Sequence, residues 1–289
     1  MIRVLFMLFP LLTMSCPTNK PISSSKFMFY NILYGGQDRL DRIKSYIKIQ
    51  QIDFLALSEL NHWNQDQLQQ FGEELDMPHT YFLTTNTGYH LGIASRYSFK
   101  IISESTKLNW HHGFLYVHIQ KLDISIFVTH LSPHSSQIRQ WEASHVLKAR
   151  VQKMPLLVLG DLNTLSPLDV KKHSKLREIF LSDNRLKKKF LNTNKDIDYV
   201  PMEILLSELH DTSIQLQATV PTQLTEDFMH AASMRLDYAL SSEKDVFFGY
   251  ADINEETAML SDHYPIIVQK CEKEVHVHHV DRMNIVEEL

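Results

Sequence analysis

Short apolar runs alternate with amphipathic stretches along most of the chain, and this alternation predicts a mixture of strands and helices. The segments KFMFYNIL (26–33) and IDFLALSEL (52–60) are apolar runs of strand length. Between them, QDRLDRIKSYIKIQQ places Leu40, Ile43 and Ile47 on one helical face. A strand, a helix and a second strand in this order predict two parallel strands in one sheet.

The alternation continues through the rest of the sequence. Further strands are predicted near 81–83, 91–95, 100–103, 113–120, 123–131, 154–163, 235–242 and 261–269. Further helices are predicted at 64–75, at 135–152, within the basic stretch 171–194, whose charged side chains we expect to face solvent, and at 203–211. Only two residues separate the strands 113–120 and 123–131, which predicts a hairpin.

Composition narrows the class of protein. A chain of 289 residues with 44% hydrophobic residues can bury a large core, and we expect one large α/β domain. A net charge of −5 argues against a surface devoted to polyanions, although a local basic patch remains open. Neither the number nor the spacing of the two cysteines suggests a structural zinc site.

The N-terminus has the layout of a secretory signal. Arg3 precedes an apolar run over 4–14, which ends at Ser15 and Cys16 and is too short to span a bilayer. The alternative is a buried first strand, but the polar residues that follow are typical of a linker. We predict a signal peptide over 1–16, a linker over 17–25, one domain over 26–270 and a tail over 271–289. The location is then secreted, periplasmic or membrane-anchored rather than cytoplasmic.

Polar side chains able to do chemistry recur where the apolar strands end. They are Asn31, Glu59, His130, Asp161, Asn163, Asp237, Asp262 and His263. Each has a structural alternative: Asn31 can form a turn, Glu59 or Asp161 can cap a helix, His130 can be a core histidine, and Asp237 can pair with Arg235. Because ligands bind at one edge of the strands in sheets with helical crossovers, a shared pocket explains the whole set with one cause.

The residue types indicate the chemistry of such a pocket. Oxygen ligands without cysteine favour Mg²⁺, Mn²⁺ or Ca²⁺ over zinc, and Glu59 is the first candidate ligand. A carboxylate that prepares water, together with histidines that meet developing negative charge, suits attack on a phosphate ester. The sequence contains neither a Gly-rich nucleotide-triphosphatase loop nor a Gly-x-Ser-x-Gly elbow.

Several of these segments resemble a known superfamily. YNILYGG, LALSEL, GIASRYSF, VTHLSPHSSQIRQWEA, VLGDLNTLSP, RLDYAL and SDHYPIIV occur in the order typical of the endonuclease/exonuclease/phosphatase superfamily, and the resemblance covers about residues 26–270. That superfamily includes pancreatic-type deoxyribonucleases, abasic-site endonucleases, neutral sphingomyelinases and inositol-polyphosphate phosphatases. The resemblance implies a four-layer α/β/β/α sandwich, in which two mixed β-sheets lie face to face and helices cover both outer faces.

The resemblance also implies how a metal is held. Glu59 is expected to bind a divalent cation, Mg²⁺ or alternatively Mn²⁺, with Asn31 close by and Asp262 contributing. The cation and the substrate phosphate then share one pocket.

Catalytic roles follow from the same resemblance. Asp161 is expected to position or deprotonate the attacking water, and Asn163 to orient that water or hold the phosphate. His263 is expected to hydrogen-bond the scissile phosphate and to be oriented by Asp237. His130 is a second phosphate-facing histidine and a candidate acid for the leaving oxygen, as in the deoxyribonuclease-like branch.

Three functions remain open, because substrate choice in this superfamily depends on loops. The first is a secreted, monomeric, Mg²⁺-dependent phosphodiesterase, a nuclease on DNA or RNA, with the basic stretch 175–190 as a surface for the phosphate backbone or merely a solvated helix. The second acts on phospholipid or phosphoinositide headgroups, with residues 110–114 as an exposed aromatic loop for a membrane unless Trp110 is buried. The third is a non-catalytic binding protein with the same fold.

Overall fold

A computed structural model describes residues 25–107, 109–151, 154–225 and 232–271. The predicted signal peptide, the linker up to residue 24 and the tail beyond residue 271 lie outside the described residues. None of the helices in the described ranges has the length and apolar character needed to cross a membrane.

The described residues form twelve strands and six α-helices. The strands are β1 (Lys26–Asn31), β2 (Phe54–Ser58), β3 (His79–Leu83), β4 (Leu91–Ser95), β5 (Lys100–Ser105), β6 (Phe114–Ile119), β7 (Ile124–His130), β8 (Leu156–Asp161), β9 (His210–Asp211), β10 (Asp237–Ser241), β11 (Phe247–Ala251) and β12 (Ile266–Lys270). The helices are α1 (Leu40–Gln50), α2 (Gln65–Glu74), α3 (Ser136–Ala149), α4 (Leu176–Ser182), α5 (Asn184–Phe190) and α6 (Val200–Leu206).

The strands form two six-stranded sheets with matching layouts. The orders are β11-β12-β1-β2-β4-β3 and β5-β6-β7-β8-β10-β9. Each sheet has one parallel pair at its centre, β1 with β2 and β7 with β8, and its other pairs are antiparallel. The helices α1 and α3 connect these parallel pairs, as a parallel connection requires. The predicted hairpin is the antiparallel pair β6 and β7.

Alternate side chains along each strand fill different layers of the molecule. In β1, Phe27 and Phe29 point into the core between the two sheets, whereas Met28 and Tyr30 face the cluster that includes α1 and α2. On the far side, the second sheet packs against α3 and α6. Because both faces of each sheet are covered, the central strands are apolar over most of their length and polar chiefly at their ends. The predicted four-layer α/β/β/α sandwich is confirmed.

A smaller apolar cluster holds two short helices, α4 and the basic α5, against the body. It includes Leu165 after β8, Phe180 of α4, Phe190 of α5 and Leu236 before β10. The basic stretch is therefore helical as predicted, and its apolar side chains fix α5 beside the ends of β8 and β10.

Two elements differ from the sequence prediction. The helix predicted at 203–211 ends at Leu206, and His210 and Asp211 instead pair with β10 as an edge strand. Its start lies earlier in the chain, where Pro201 occupies a first-turn position that tolerates a missing N–H. The edge strand β11, close to the end of the chain, was not predicted.

Candidate active site

Strand register gathers the predicted site residues at one edge of the two sheets. Asn31 ends β1 and pairs with Ser58, which immediately precedes Glu59. In the other sheet, Asp161 ends β8 and lies between His130 on one side and Asp237 on the other. Backbone pairing alone therefore places three of these side chains on adjacent strands.

Asn31 links the two sheets across this edge. Its Nδ2 donates to Oε1 of Glu59 at 3.1 Å and to Oδ2 of Asp161 at 3.4 Å. Its Oδ1 accepts the backbone N–H of Leu33 at 3.2 Å, so the turn-forming role considered as an alternative is also real. The hydroxyl of Ser261 donates to the Asn31 carbonyl at 2.6 Å, which ties in the loop that carries Asp262 and His263.

His263 is held by Asp237 and directed towards Asp161. Its Nδ1 lies 2.7 Å from Oδ2 of Asp237, and its Nε2 lies 3.7 Å from Oδ2 of Asp161. Burial alone would lower the pKa of His263, but the carboxylates of Asp237, Asp161 and Asp262 outweigh it and hold the pKa well above its ordinary value. This environment favours the charged form of His263, in which Nε2 is a hydrogen-bond donor.

The alternative pairing of Asp237 with Arg235 is wrong. Arg235 lies buried between two other carboxylates, with its Nε 2.9 Å from Asp169 and its Nη1 2.6 Å from Asp211. This ion-pair network fixes the start of β10 and leaves Asp237 for His263.

His130 lines the same cleft as a neutral imidazole. Its Nε2 lies 3.4 Å from Oδ2 of Asp161, and its ring stacks on that of His112 with 4.2 Å between centroids. Burial, and then the positive charges of His263 and Lys189, lower the pKa of His130 well below its ordinary value. Its Nδ1 has no hydrogen-bond partner among the described residues. His130 is thus buried in the manner of a core histidine and also borders the site.

Asn163 is fixed on three sides. Its backbone N–H donates to Oδ1 of Asp161 at 2.9 Å, and its Nδ2 donates to the carbonyl of Leu131 at 3.0 Å. Its Oδ1 accepts a hydrogen bond of 2.6 Å from the Nζ of Lys189. The amide oxygen is therefore engaged by a cation, and one N–H of Nδ2 is left to face a ligand.

Glu59 and Asn163 both take a left-handed backbone directly after a strand. Their φ angles are 59° and 49°. This conformation costs roughly 1–2 kcal/mol for a residue with a Cβ, although asparagine tolerates it better. Neither residue caps the next helix, since Asn64 caps α2 and Ser166 caps the short 3₁₀ helix after β8. Both turns instead direct a polar side chain towards the cleft.

The donor set fits a divalent cation. Burial, and then the neighbouring carboxylate of Asp262, raise the pKa of Glu59 to about 7, because they outweigh the hydrogen bond from Asn31 and the charge of His263, which lower it. Ligand atoms of Asp161, Asp237 and His263 also lie within 4.8 Å of one another, and this group could hold a metal ion once His263 has lost its proton. The acidic oxygens suit a hard cation, although this closest group differs from the predicted ligands Asn31, Glu59 and Asp262.

Six of the eight predicted site residues line one cleft of about 520 Å³, namely Glu59, His130, Asp161, Asn163, Asp262 and His263. Asn31 and Asp237 do not line it and act on it through their hydrogen bonds to Glu59, Asp161 and His263. Its lining includes six side chains that the sequence analysis did not assign to the site, namely Tyr34, Tyr89, His111, His112, His134 and Lys189. Of the two possibilities left open for residues 110–114, the structure shows the second, because Trp110 is buried against Phe114 with 4.7 Å between ring centroids. The adjacent histidines His111 and His112 were the signal in the sequence for this part of the cleft lining. No local pattern indicated that their side chains face the cleft.

Comparison with known families agrees with this arrangement. A family model described as "Endonuclease/Exonuclease/phosphatase family" matches residues 28–263, a span that contains every predicted site residue. The protein belongs to this family. Members of the Endonuclease/Exonuclease/phosphatase family are phosphoesterase hydrolases, and the superfamily resemblance seen in the sequence is thereby confirmed. A comparison with curated protein sequences gave no significant match.

Solved structures share the fold at low sequence identity. An AP endonuclease from Archaeoglobus fulgidus is 18% identical with a TM-score of 0.60, and the match covers 84% of this chain and 98% of that one. A mannosyl-6-phosphatase from Bacteroides thetaiotaomicron is 16% identical with a TM-score of 0.53, covering 85% and 98%. Truncated TDP2 from Caenorhabditis elegans is 15% identical with a TM-score of 0.54, covering 86% and 98%. At these identities the likeness establishes the fold and not the substrate.

Proposed function

We propose that the protein is a divalent-metal-dependent phosphodiesterase that acts as a monomeric nuclease by water attack on DNA or RNA. One observation carries the proposal: Oδ2 of Asp161 is surrounded by Nδ2 of Asn31, Nε2 of His130 and Nε2 of His263 at 3.4–3.7 Å. A carboxylate that faces three nitrogen atoms at the mouth of a cleft suits the handling of a water molecule and an anionic substrate.

Each side chain has a separate role in the proposed reaction. Asp161 positions the attacking water and takes its proton. His263, held by Asp237, donates from Nε2 to a non-bridging phosphate oxygen as negative charge develops there. His130 is a second phosphate-facing group, and its neutral ring requires a proton from elsewhere before it can act as an acid.

Glu59 is proposed as the principal metal ligand, with Asn31 and Asp262 beside it. Mg²⁺, with Mn²⁺ as the alternative, would supply Lewis-acid charge stabilisation of the phosphate when bound. The carboxylates of Glu59 and Asp262 bring the negative charge that such a cation neutralises, and the hydrogen bond from Asn31 fixes one oxygen of Glu59.

A nucleic-acid substrate is favoured over a lipid headgroup. The basic stretch 175–190 supports the first choice, because Lys189 near its end lines the cleft. The lipid alternative loses the exposed tryptophan on which it depended, because Trp110 is buried.

The proposal is tested by a substrate panel with the purified protein. Plasmid DNA, RNA, sphingomyelin vesicles, inositol phosphates and bis-p-nitrophenyl phosphate are incubated with Mg²⁺, with Mn²⁺ and with excess chelator. We expect metal-dependent, salt-sensitive cleavage of nucleic acid and of the small diester. Hydrolysis of vesicles without nucleic-acid cleavage would support the headgroup alternative, and inactivity on the whole panel would support a binding protein.

We also propose export of the mature domain, with residues 1–16 as its signal peptide. The support is the apolar run over 4–14 followed by a polar linker. N-terminal sequencing of protein expressed from the full gene should give a mature start near residue 17. An intact N-terminus on a cytoplasmic protein would contradict export and leave the catalytic proposal untouched.

A further inference from the structure

One lysine of the basic stretch lines the cleft. Helix α5 carries Lys187, Lys188 and Lys189 in succession, and Lys188 is exposed. Lys189 is instead partly buried and lines the cleft together with Glu59, Asp161 and His263. Its Nζ lies 2.6 Å from Oδ1 of Asn163. The expectation that the charged side chains of this stretch are solvated is therefore wrong at this position.

The backbone of Lys189 is held by a hydrogen bond from a buried arginine. Arg139 of α3 has no exposed surface, and its guanidinium donates to the carbonyls of Lys189 and, at 2.9 Å, of Ser132. The next residue, Phe190, is also buried, in the apolar cluster that anchors α5. These two buried contacts fix the backbone at Lys189 and so direct its side chain towards the cleft. An ordinary surface lysine has no such anchors.

The charge balance of the cleft calls for a cation at this position. Among the described residues that line the cleft, Lys189 is the one lysine or arginine, and it stands opposite the carboxylates of Glu59, Asp161 and Asp262. An ammonium group has three N–H donors, and Asn163 accepts one of them. Two donors remain for an anionic ligand in the cleft.

We infer that Lys189 is a phosphate-binding residue, which donates from Nζ to a non-bridging oxygen of the substrate phosphate. The inference rests on the proposed phosphoesterase function and adds a second cationic donor beside His263. Fixed positive charge aimed at oxygens that gain negative charge in the transition state is a large source of rate enhancement. In the competing interpretation, Lys189 only clamps the side chain of Asn163.

Three variants separate charge from clamping. Lys189→Met removes both, Lys189→Gln keeps a neutral amide donor for Asn163, and Lys189→Arg keeps the positive charge. Lys188→Met is the matched control, because it removes the same charge from the same helix at an exposed position. Each variant is first compared with the wild-type protein by thermal unfolding.

The readouts are kcat/KM on bis-p-nitrophenyl phosphate with Mg²⁺ and, independently of turnover, calorimetric binding of inorganic phosphate. We expect kcat/KM to fall about 10²-fold in the methionine and glutamine variants, with partial recovery in the arginine variant. Phosphate binding should weaken about tenfold in the first two, which is the strength of one charge-assisted hydrogen bond. Lys188→Met should remain within about twofold of wild type on both measures.

The outcomes distinguish this inference from the proposed function. Folded Lys189→Met protein with near-normal turnover and phosphate binding overturns the role of Lys189, while the wild-type activity upholds the phosphoesterase. Full recovery in the glutamine variant also overturns it, in favour of the clamp. Wild-type protein that hydrolyses no phosphate ester overturns the proposed function, and the phosphate titrations then decide the role of Lys189 alone. If Lys189→Met does not fold, the contrast between glutamine and arginine carries the test.

Discussion

Nδ1 of His263 lies 2.7 Å from Oδ2 of Asp237, a contact between a loop next to one sheet and the first residue of a strand in the other. The buried carboxylate both orients the ring and stabilises its charged form. A single hydrogen bond thus couples the two halves of the sandwich at the point where the substrate is proposed to bind.

Asp237→Asn should reduce kcat on a phosphodiester by about 10²-fold or more, because the amide keeps the shape but not the charge that holds His263 protonated. The measurement is steady-state hydrolysis of bis-p-nitrophenyl phosphate. Asp196→Asn is the control, since Asp196 is an exposed partner of Arg177. A normal kcat in folded Asp237→Asn protein would remove Asp237 from the machinery.

Glu59→Gln should lower activity by about 10²-fold or more and raise the Mg²⁺ concentration needed for half-maximal rate. The reason is the loss of the principal negative charge at the predicted metal position. Activity is titrated against Mg²⁺ for wild type, for Glu59→Gln and for Glu178→Gln, which changes an exposed glutamate on α4. Equal metal requirements in all three would contradict the assignment of Glu59 as a ligand.

Gly160→Ala should destabilise the fold by about 1–3 kcal/mol, because the new methyl group overpacks a closed space. A Cβ at this position would lie 2.2 Å from the carbonyl oxygen of Thr129 on the neighbouring strand. Urea unfolding measures the loss. At Gly88 a Cβ meets nothing within 4 Å, so Gly88→Ala reports only the cost of its left-handed backbone, about 1 kcal/mol. Equal losses of unfolding free energy in the two variants would contradict the close approach between Gly160 and Thr129.

Arg235→Met should cost about 3–5 kcal/mol of unfolding free energy, because it leaves two buried carboxylates without their cation. The partners are Asp169 and Asp211, each almost fully buried on its side chain. Arg177→Met removes an exposed ion pair with Asp196 and should cost about 1 kcal/mol or less. Chemical denaturation of both variants measures the contrast. Similar losses of unfolding free energy would show that the buried ion pairs stabilise the fold no more than the exposed pair does.

Glu142 should make stability depend on pH. Its carboxylate accepts the backbone N–H groups of His111 at 2.9 Å and Ser132 at 2.8 Å, and burial raises its pKa from 4.5 to about 7. The folded protein therefore holds this proton more tightly than the unfolded chain does. The contribution of Glu142 to stability is present at low pH and is lost as the pH rises from about 4.5 to about 7, by about 3 kcal/mol at most.

Glu142→Gln removes this titration while keeping an acceptor oxygen. The difference in unfolding free energy between about pH 5 and about pH 7.5 should therefore shift between wild type and variant by up to about 3 kcal/mol. Glu178→Gln, at an exposed site, should leave the difference unchanged. Parallel pH profiles for wild type and Glu142→Gln would contradict the raised pKa.

Several features of the fold could be predicted from the sequence because they are written in local patterns. The continuous apolar runs located β1, β2, β7 and β8, and the helical periodicity between them predicted parallel pairs. The edge strands β11 and β9 were not predicted from the sequence. A strand with one neighbour needs little of the continuous apolar character that marks a central strand.

Much of the site could be predicted from the same rule. Asn31, His130 and Asp161 stand at the ends of central strands, where a sheet places ligand-binding side chains. Lys189 could not be found in this way. Its neighbours in sequence are also lysines, and only the burial of Arg139 and Phe190 determines that this one faces the cleft.

The sequence by itself determined an α/β domain and the eight polar residues expected at the strand ends, because apolar runs and helical periodicity are local properties. Its motifs also carried the resemblance to the family, and the layered architecture followed from that resemblance. Tertiary structure alone decided which partner each polar group takes: Asp237 pairs with His263 rather than with Arg235, Trp110 is buried, and a surface-type lysine enters the cleft. Such choices depend on distances between segments far apart in the chain. Those distances are set by packing, which no local pattern encodes.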